Sequence, residues 1–170
     1  MSKRKRIYKP GGTYFITSTT HERKTYFSNI ELARLLVDQS FYHYEDKLGF
    51  QIVAFTVQPD HYHLLLTTEE NENISKIIHR INSYSSTVLN NHLGNKQKEK
   101  IWQGNPWTEL IRNENMFWQK VAYILLNPWR ANLVENPLKE YHASNLNEWK
   151  EAKGSDFLKD LFSRFGKNFE

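Results

Sequence analysis

A chain of 170 residues that is 39% hydrophobic and 14% aromatic can bury one substantial core, which excludes a disordered or low-complexity protein. The absence of cysteine excludes disulfide staples and thiolate metal sites and suits a reducing cytoplasm. The net charge of +4 has one source: residues 1–10 hold five of the 23 basic side chains, leaving 18 for the other 160 residues against all 19 acids.

Lys3, Arg4, Lys5, Arg6 and Lys9 form a basic N-terminal arm, suited to phosphate contacts or to simple solvation. The arm runs into Pro10-Gly11-Gly12 rather than an apolar segment, so no signal peptide is expected, and no run approaches membrane-spanning length. Gly12–Thr20 (GTYFITSTT) alternates and is rich in β-formers, which predicts a first strand. Phe27-Ser28-Asn29 supplies a helix start, and Ile30, Ala33, Val37 and Phe41 recur at helical spacing up to Gly49. Phe50–Glu69 is two apolar, β-branched and aromatic runs broken at Gln58-Pro59-Asp60, the pattern of a hairpin. Ile74, Ile77, Ile78, Ile81, Tyr84, Ser85, Val88 and Leu89 mark an amphipathic helix closing at Gly94. Ile101–Arg112 reads as an irregular strand that Pro106 confines to an edge or a bulge. A third helix is expected over Asn115–Leu126, stopped at Asn127-Pro128 because the residue before proline avoids helical angles. Phe157, Leu158, Leu161, Phe162 and Phe165 give one more amphipathic piece, which caps the core or meets a partner.

The order β-α-β-β-α-β followed by helices is the ferredoxin-like split pattern, an α+β fold with a four-stranded antiparallel sheet, helices on one face and a C-terminal helical tail. No repeat or composition shift marks a second domain; the chain divides into the arm (1–10), a main domain (11–145) and the tail (146–170).

Within the second hairpin strand, His61 and His63 are two apart and project the same way, while Tyr62, Leu64 and Leu66 point the other. Tyr123 and Asn127 are four apart, about 40° apart in helical projection. If that helix face meets the histidine face, two imidazoles, a phenol and an amide oxygen converge. Imidazoles and an amide oxygen can hold a divalent cation while leaving room for phosphate oxygens, and a phenol can attack phosphorus. Each element has a plainer reading. A histidine pair can be hydrogen-bonded structure at a strand end, and a helical tyrosine is often a core filler. Tyr84 is the competing tyrosine, assigned to the core, and His21, His43, His79, His92 and His142 are assigned surface or structural roles.

The spacing becomes specific in combination. His61-Tyr62-His63 matches the HUH motif (histidine, bulky apolar residue, histidine). Tyr123–Val134 (YILLNPWRANLV) resembles the tyrosine helix of single-tyrosine HUH transposases. Arg6–Phe27 with Gly11-Gly12-Thr13-Tyr14-Phe15 and Arg23, then Ile101-Trp102-Gln103, Ile111-Arg112-Asn113-Glu114 and Tyr141–Ser144, are similar to the REP-associated tyrosine transposases of the IS200-like family. The resemblance spans roughly residues 4–145. It implies an endonuclease and strand transferase acting on single-stranded DNA near hairpins formed by imperfect palindromes, with Mg²⁺ or Mn²⁺ and a covalent 5′-phosphotyrosine intermediate, in the bacterial cytoplasm and associated with the nucleoid. On it, His61, His63 and Asn127 are the metal ligands and Tyr123 the catalytic nucleophile. Arg4, Lys5, Arg6, Lys9, Arg23, Arg112, Trp102 and Gln103 are the expected DNA contacts; Trp107, Trp118 and Trp129 are further stacking candidates. Asp60 stands where the family usually has asparagine, Thr108 where aspartate is common, and Asn82 where lysine is often found. Two other readings share the fold: a catalytically silent regulator that binds hairpin DNA, and a metal phosphodiesterase that uses water. Homodimer and monomer both fit the sequence.

Overall fold

The computed structural model describes residues 9–166 apart from 46 and 96. Strands β1 (Thr13–Thr19), β2 (Phe50–Gln58), β3 (His61–Thr68) and β4 (Trp107–Leu110) form one sheet in the order β2-β3-β1-β4. All neighbours are antiparallel, so the first and third strands are central, as the split pattern requires. Between β1 and β2 the chain forms α1 (Ile30–Leu36), a π-helical stretch over Val37–Tyr42 and the single turn α2 (His43–Glu45). Helix α3 (Ile74–His92) leads from β3 toward β4, and α4 (Glu114–Arg130), α5 (Leu146–Lys153) and α6 (Ser155–Phe165) follow. Three helices begin on an asparagine whose side chain accepts from the first turn: Asn29 for α1, Asn73 for α3 and Asn113 for α4. Each satisfies an N–H that the helix itself leaves unpaired.

Strand alternation sorts the core into two layers. Tyr14, Ile16, Tyr62, Leu64 and Leu66 face Leu32, Ala33 and Leu36 of α1 and Ile74, Ile77, Ile78 and Ile81 of α3. Phe15, Ala54 and Leu65 face Val121, Ala122 and Leu125 of α4, with Leu146 of α5 and Leu158 and Leu161 of α6. The helices expected on one face are therefore the two crossover helices, while α4 and the tail cover the other. Asn82 joins the first layer to the sheet, accepting from the Tyr62 hydroxyl at 2.8 Å and donating to Ser18 Oγ at 2.9 Å. Tyr84 lies half-buried on α3 against His43 and Tyr44, away from the histidine face.

Three boundaries differ from expectation. Helix α4 does not stop before Pro128 but runs to Arg130. Proline gives up its own N–H bond and crowds the carbonyl four residues back, but Pro128 is buried, and the Arg130 guanidinium donates to the Gly166 backbone carbonyl, tying the helix end to the tail. The fourth strand is only Trp107–Leu110, paired on one side to β1; Asn105 just before it takes φ 61°, which breaks the extended run ahead of Pro106. The tail contains a helix, α5, that its polar sequence LNEWKEAK did not announce. Residues 141–145 shield the outer edge of β2. Val57 N–H donates to the Ala143 carbonyl at 2.8 Å, and Phe55 N–H to Asn145 Oδ1 at 2.9 Å, leaving that edge little to offer another strand.

Candidate active site

The tight turn Pro59-Asp60 sets the β2–β3 register, which places His61 between Thr19 and Gln58 and His63 between Thr17 and Thr56. The two imidazoles sit on the face that α4 covers, ring centroids 4.8 Å apart and planes at 77°. His61 Nδ1 lies 2.6 Å from Asp60 Oδ1, and the other Asp60 oxygen accepts from Arg23 Nη1 at 3.2 Å. Burial works against the Asp60 carboxylate, but His61 and Arg23 outweigh it and hold the group below its ordinary pKa. His63 Nδ1 lies 2.8 Å from Thr17 Oγ1. Both Nδ1 atoms are thus engaged, one by a carboxylate and one by a hydroxyl. This is the outer support that orients an imidazole and leaves Nε2 for a ligand.

Helix α4 brings the phenol. The Tyr123 hydroxyl is 3.4 Å from His63 Nε2, with the rings 5.1 Å apart at 68°. Phe15 stacks on His63 at 5.4 Å and meets Tyr123 edge-on at 5.8 Å, so three rings fix one another's orientation. In the tautomer that directs Nδ1–H at Thr17, the His63 Nε2 lone pair accepts from the phenol. Asn127 shares the half-buried face one turn later, and its amide has no hydrogen-bond partner among the described residues. Because α4 continues through Pro128, Asn127 keeps full helical register with Tyr123.

Burial, followed by the charges of His61 and Lys120, pushes the His63 imidazole down to about 3 from its ordinary 6.5. The ring is therefore neutral at physiological pH, which suits a ligand and makes it a poor acceptor for a proton that must be kept. The same depression links stability to pH. Between pH 6.5 and about 3 the unfolded chain binds the proton that folded His63 refuses, so stability is full above that window and falls as pH drops through it. At pH 5 the loss is about 2 kcal/mol, at roughly 1.4 kcal/mol per unit. Thermal melts of metal-free protein at pH 7 and pH 5 are expected to show it, and His63→Gln is expected to shrink the difference between the two.

Residues 10–110 match the family model described as IS200-like transposases. A Haemophilus influenzae protein named as a REP-associated tyrosine transposase is 33% identical over 148 residues, covering 79% of this chain and 80% of the relative. The chain belongs to the IS200-like transposase family. An Escherichia coli REP-associated tyrosine transposase is 25% identical over 147 residues, with 84% of each chain covered. Among solved structures, a REP-associated tyrosine transposase bound to a REP hairpin superposes with a TM-score of 0.74 at 25% identity, covering 91% of this chain and 87% of that one. A transposase of Deinococcus radiodurans shares the fold at a TM-score of 0.52 and 19% identity, over 80% of this chain and 99% of that one. The family is one of DNA-cleaving enzymes, and the family match takes in His61 and His63 but ends before the helix that carries Tyr123.

In this IS200-like transposase the expected DNA contacts separate. Arg4, Lys5 and Arg6 lie outside the described residues. Lys9, Gln103 and Arg112 are exposed. Arg23 is exposed too, but it is tied to Asp60 and so braces the histidine pair. Trp102 is a correction: it is 7% exposed, stacked on Phe27 at 5.5 Å, and its indole N–H donates to Ser85 Oγ at 2.9 Å. It fills the core and cannot stack on a base. Trp107 and Trp129 are 50% and 42% exposed. No motif in the sequence marks Thr17, Lys120 or Glu109. Thr17 becomes legible only through the β1–β3 register. Glu109 and Lys120 emerge only when β4 and α4 are set against the same face. Among the described residues, no helix is long and apolar enough to cross a membrane.

Proposed function

We propose that this transposase cuts and rejoins single-stranded DNA at hairpin-forming palindromes through a covalent 5′-phosphotyrosine on Tyr123. In this reading His61, His63 and Asn127 hold a divalent cation, Mg²⁺ or Mn²⁺. The observation that carries it is the approach of the Tyr123 hydroxyl to His63 Nε2 at 3.4 Å, on rings whose Nδ1 atoms are already occupied. The solved relative described as bound to a REP hairpin supports a folded palindrome as the DNA.

The chain's own groups divide the work. The Tyr123 oxygen attacks the scissile phosphorus in line with the 3′ oxygen. As the new P–O bond forms the phenol proton is lost, and the departing 3′ oxygen takes up a proton to leave a free 3′-hydroxyl. Rejoining is the reverse, with a strand's 3′-hydroxyl attacking the phosphotyrosine. Asp60 and Thr17 fix the two imidazoles, while Phe15 and the rigid α4 hold the phenol in one attack direction. A bound cation would supply charge stabilisation for the phosphate oxygens and the phenolate. The basic arm, with Lys9, Arg112 and Gln103, would track the strand's phosphates. Residues 11–145 form the catalytic unit in this scheme, the tail braces α4, and the setting is the nucleoid.

The test is direct. Protein is incubated with end-labelled hairpin oligonucleotides carrying randomised single-stranded flanks, with Mg²⁺ or Mn²⁺. The expected result is a denaturant-resistant protein–DNA adduct whose peptide carries the phosphate on Tyr123. Hairpin binding with no adduct under either metal would identify a regulator instead. Cleavage with no adduct would identify a hydrolase that uses water.

A further inference from the structure

We propose that Lys120 is the cation that receives a non-bridging oxygen of the scissile phosphate, with Glu109 as the tether holding it in place until DNA arrives. The assignment rests on Tyr123 being the nucleophile. Lys120 lies three residues before Tyr123 on α4, hence on the same helix face. Its ammonium is 2.9 Å from Glu109 Oε2 and 4.4 Å from the centroid of the Phe15 ring. Phe15 pairs in register with Glu109 and stacks on His63. One aromatic ring therefore links the lysine to the imidazole that the phenol touches.

The setting differs from that of the other lysine ion pairs among the described residues. The Lys120 side chain is 18% exposed, whereas Lys24, Lys139 and Lys159 are 46%, 57% and 63% exposed in theirs. A surface pair contributes little and needs no special setting. A half-shielded ammonium on the helix face that carries the attacking phenol interacts more strongly with any anion placed there, because less water screens it. The reaction supplies that anion. A phosphodiester must lie against the Tyr123 oxygen, and negative charge grows on its oxygens as attack proceeds. A cation fixed beforehand is the group that stabilises such a transition state, and lysine does so as a mobile point charge. Glu109 fits the second half of the role. At 35% exposure its carboxylate can be rehydrated when the phosphate takes over the ammonium.

The competing account is a strap between β4 and α4 with no contact to DNA. The experiment uses the full chain and a hairpin oligonucleotide selected from the randomised pool by adduct formation with the parent protein. A second copy of that oligonucleotide carries a neutral methylphosphonate at the mapped scissile linkage. Lys120→Met keeps the aliphatic stem on Phe15 and removes the charge. It is expected to lower the slope of log affinity against log salt by about 0.7 and to slow adduct formation about 10- to 100-fold. Its binding deficit is expected to vanish on the methylphosphonate oligonucleotide. Glu109→Gln cuts the strap but keeps the cation, so it is expected to sharpen the preference for phosphate over methylphosphonate. That comparison stands even if Lys120→Met does not fold. An unchanged salt slope in Lys120→Met, or no sharpened preference in Glu109→Gln, overturns the assignment while leaving Tyr123 in place. Failure of the parent to form any adduct overturns the nucleophile reading and this assignment together.

Discussion

Tyr123→Phe is expected to abolish the covalent protein–DNA adduct, with strand cleavage falling by about 10⁴-fold or more, as when a nucleophile is deleted outright. The substitution removes one oxygen and little else. The ring keeps its edge contacts with Phe15 at 5.8 Å and His63 at 5.1 Å, and the lost contact to Nε2 is long, at 3.4 Å. The melting temperature and hairpin affinity of the variant are therefore expected to stay close to the parent's. Such a profile, with fold and binding intact and chemistry gone, separates a nucleophile from a packing residue. Cleavage that persists in Tyr123→Phe would hand the reaction to water or to another tyrosine, and Tyr84 is placed against it by its position on the opposite side of the sheet.

The second large effect is expected at the histidines. His61→Ala or His63→Ala should remove detectable Mn²⁺ binding in a calorimetric titration and, with it, adduct formation by about 10³-fold. Asp60→Ala leaves both imidazoles but frees the His61 ring to turn, and should weaken metal affinity by only about 10- to 100-fold, the usual cost of losing an outer-shell partner. The order matters more than the values. If Asp60→Ala were as damaging as His61→Ala, the carboxylate itself would be bound to the cation. His63→Ala also leaves a gap under Phe15, so its stability must be followed alongside; His63→Gln fills more of that space and is the better comparison.

Much of this arrangement could be read from residue order, and the reasons are physical. Alternation in His61–Thr68 fixed which residues face together, because a strand has a period of two and the turn at Pro59-Asp60 sets its register at that end; in Phe50–Gln58 the register shift between Ile52 and Ala54 breaks the alternation. The i,i+4 spacing of Tyr123 and Asn127 did the same for one face of α4. What was not legible was which face of the sheet that helix would meet, since the connection after β4 is free to take either. Pro128 points the wrong way for a related reason: the penalty it imposes on a helix is offset by burial of its ring and by the Arg130–Gly166 contact, neither of which a local pattern shows. Trp102 misled differently. An indole at a motif position can stack on a base or fill a core, and only the presence of Ser85 at 2.9 Å decides between them. Glu109 and Lys120 belong to elements far apart in the chain, and no pattern within either one reveals the other.

The tail helices pack on the far side of α4 and tie down its end, while the phenol on its near side touches an imidazole of the very same polypeptide. A site whose two halves are covalently continuous does not have to wait for a second molecule to complete it. Adduct formation per molecule is then expected to hold on dilution, and a yield that falls with protein concentration would place the attacking tyrosine on another copy.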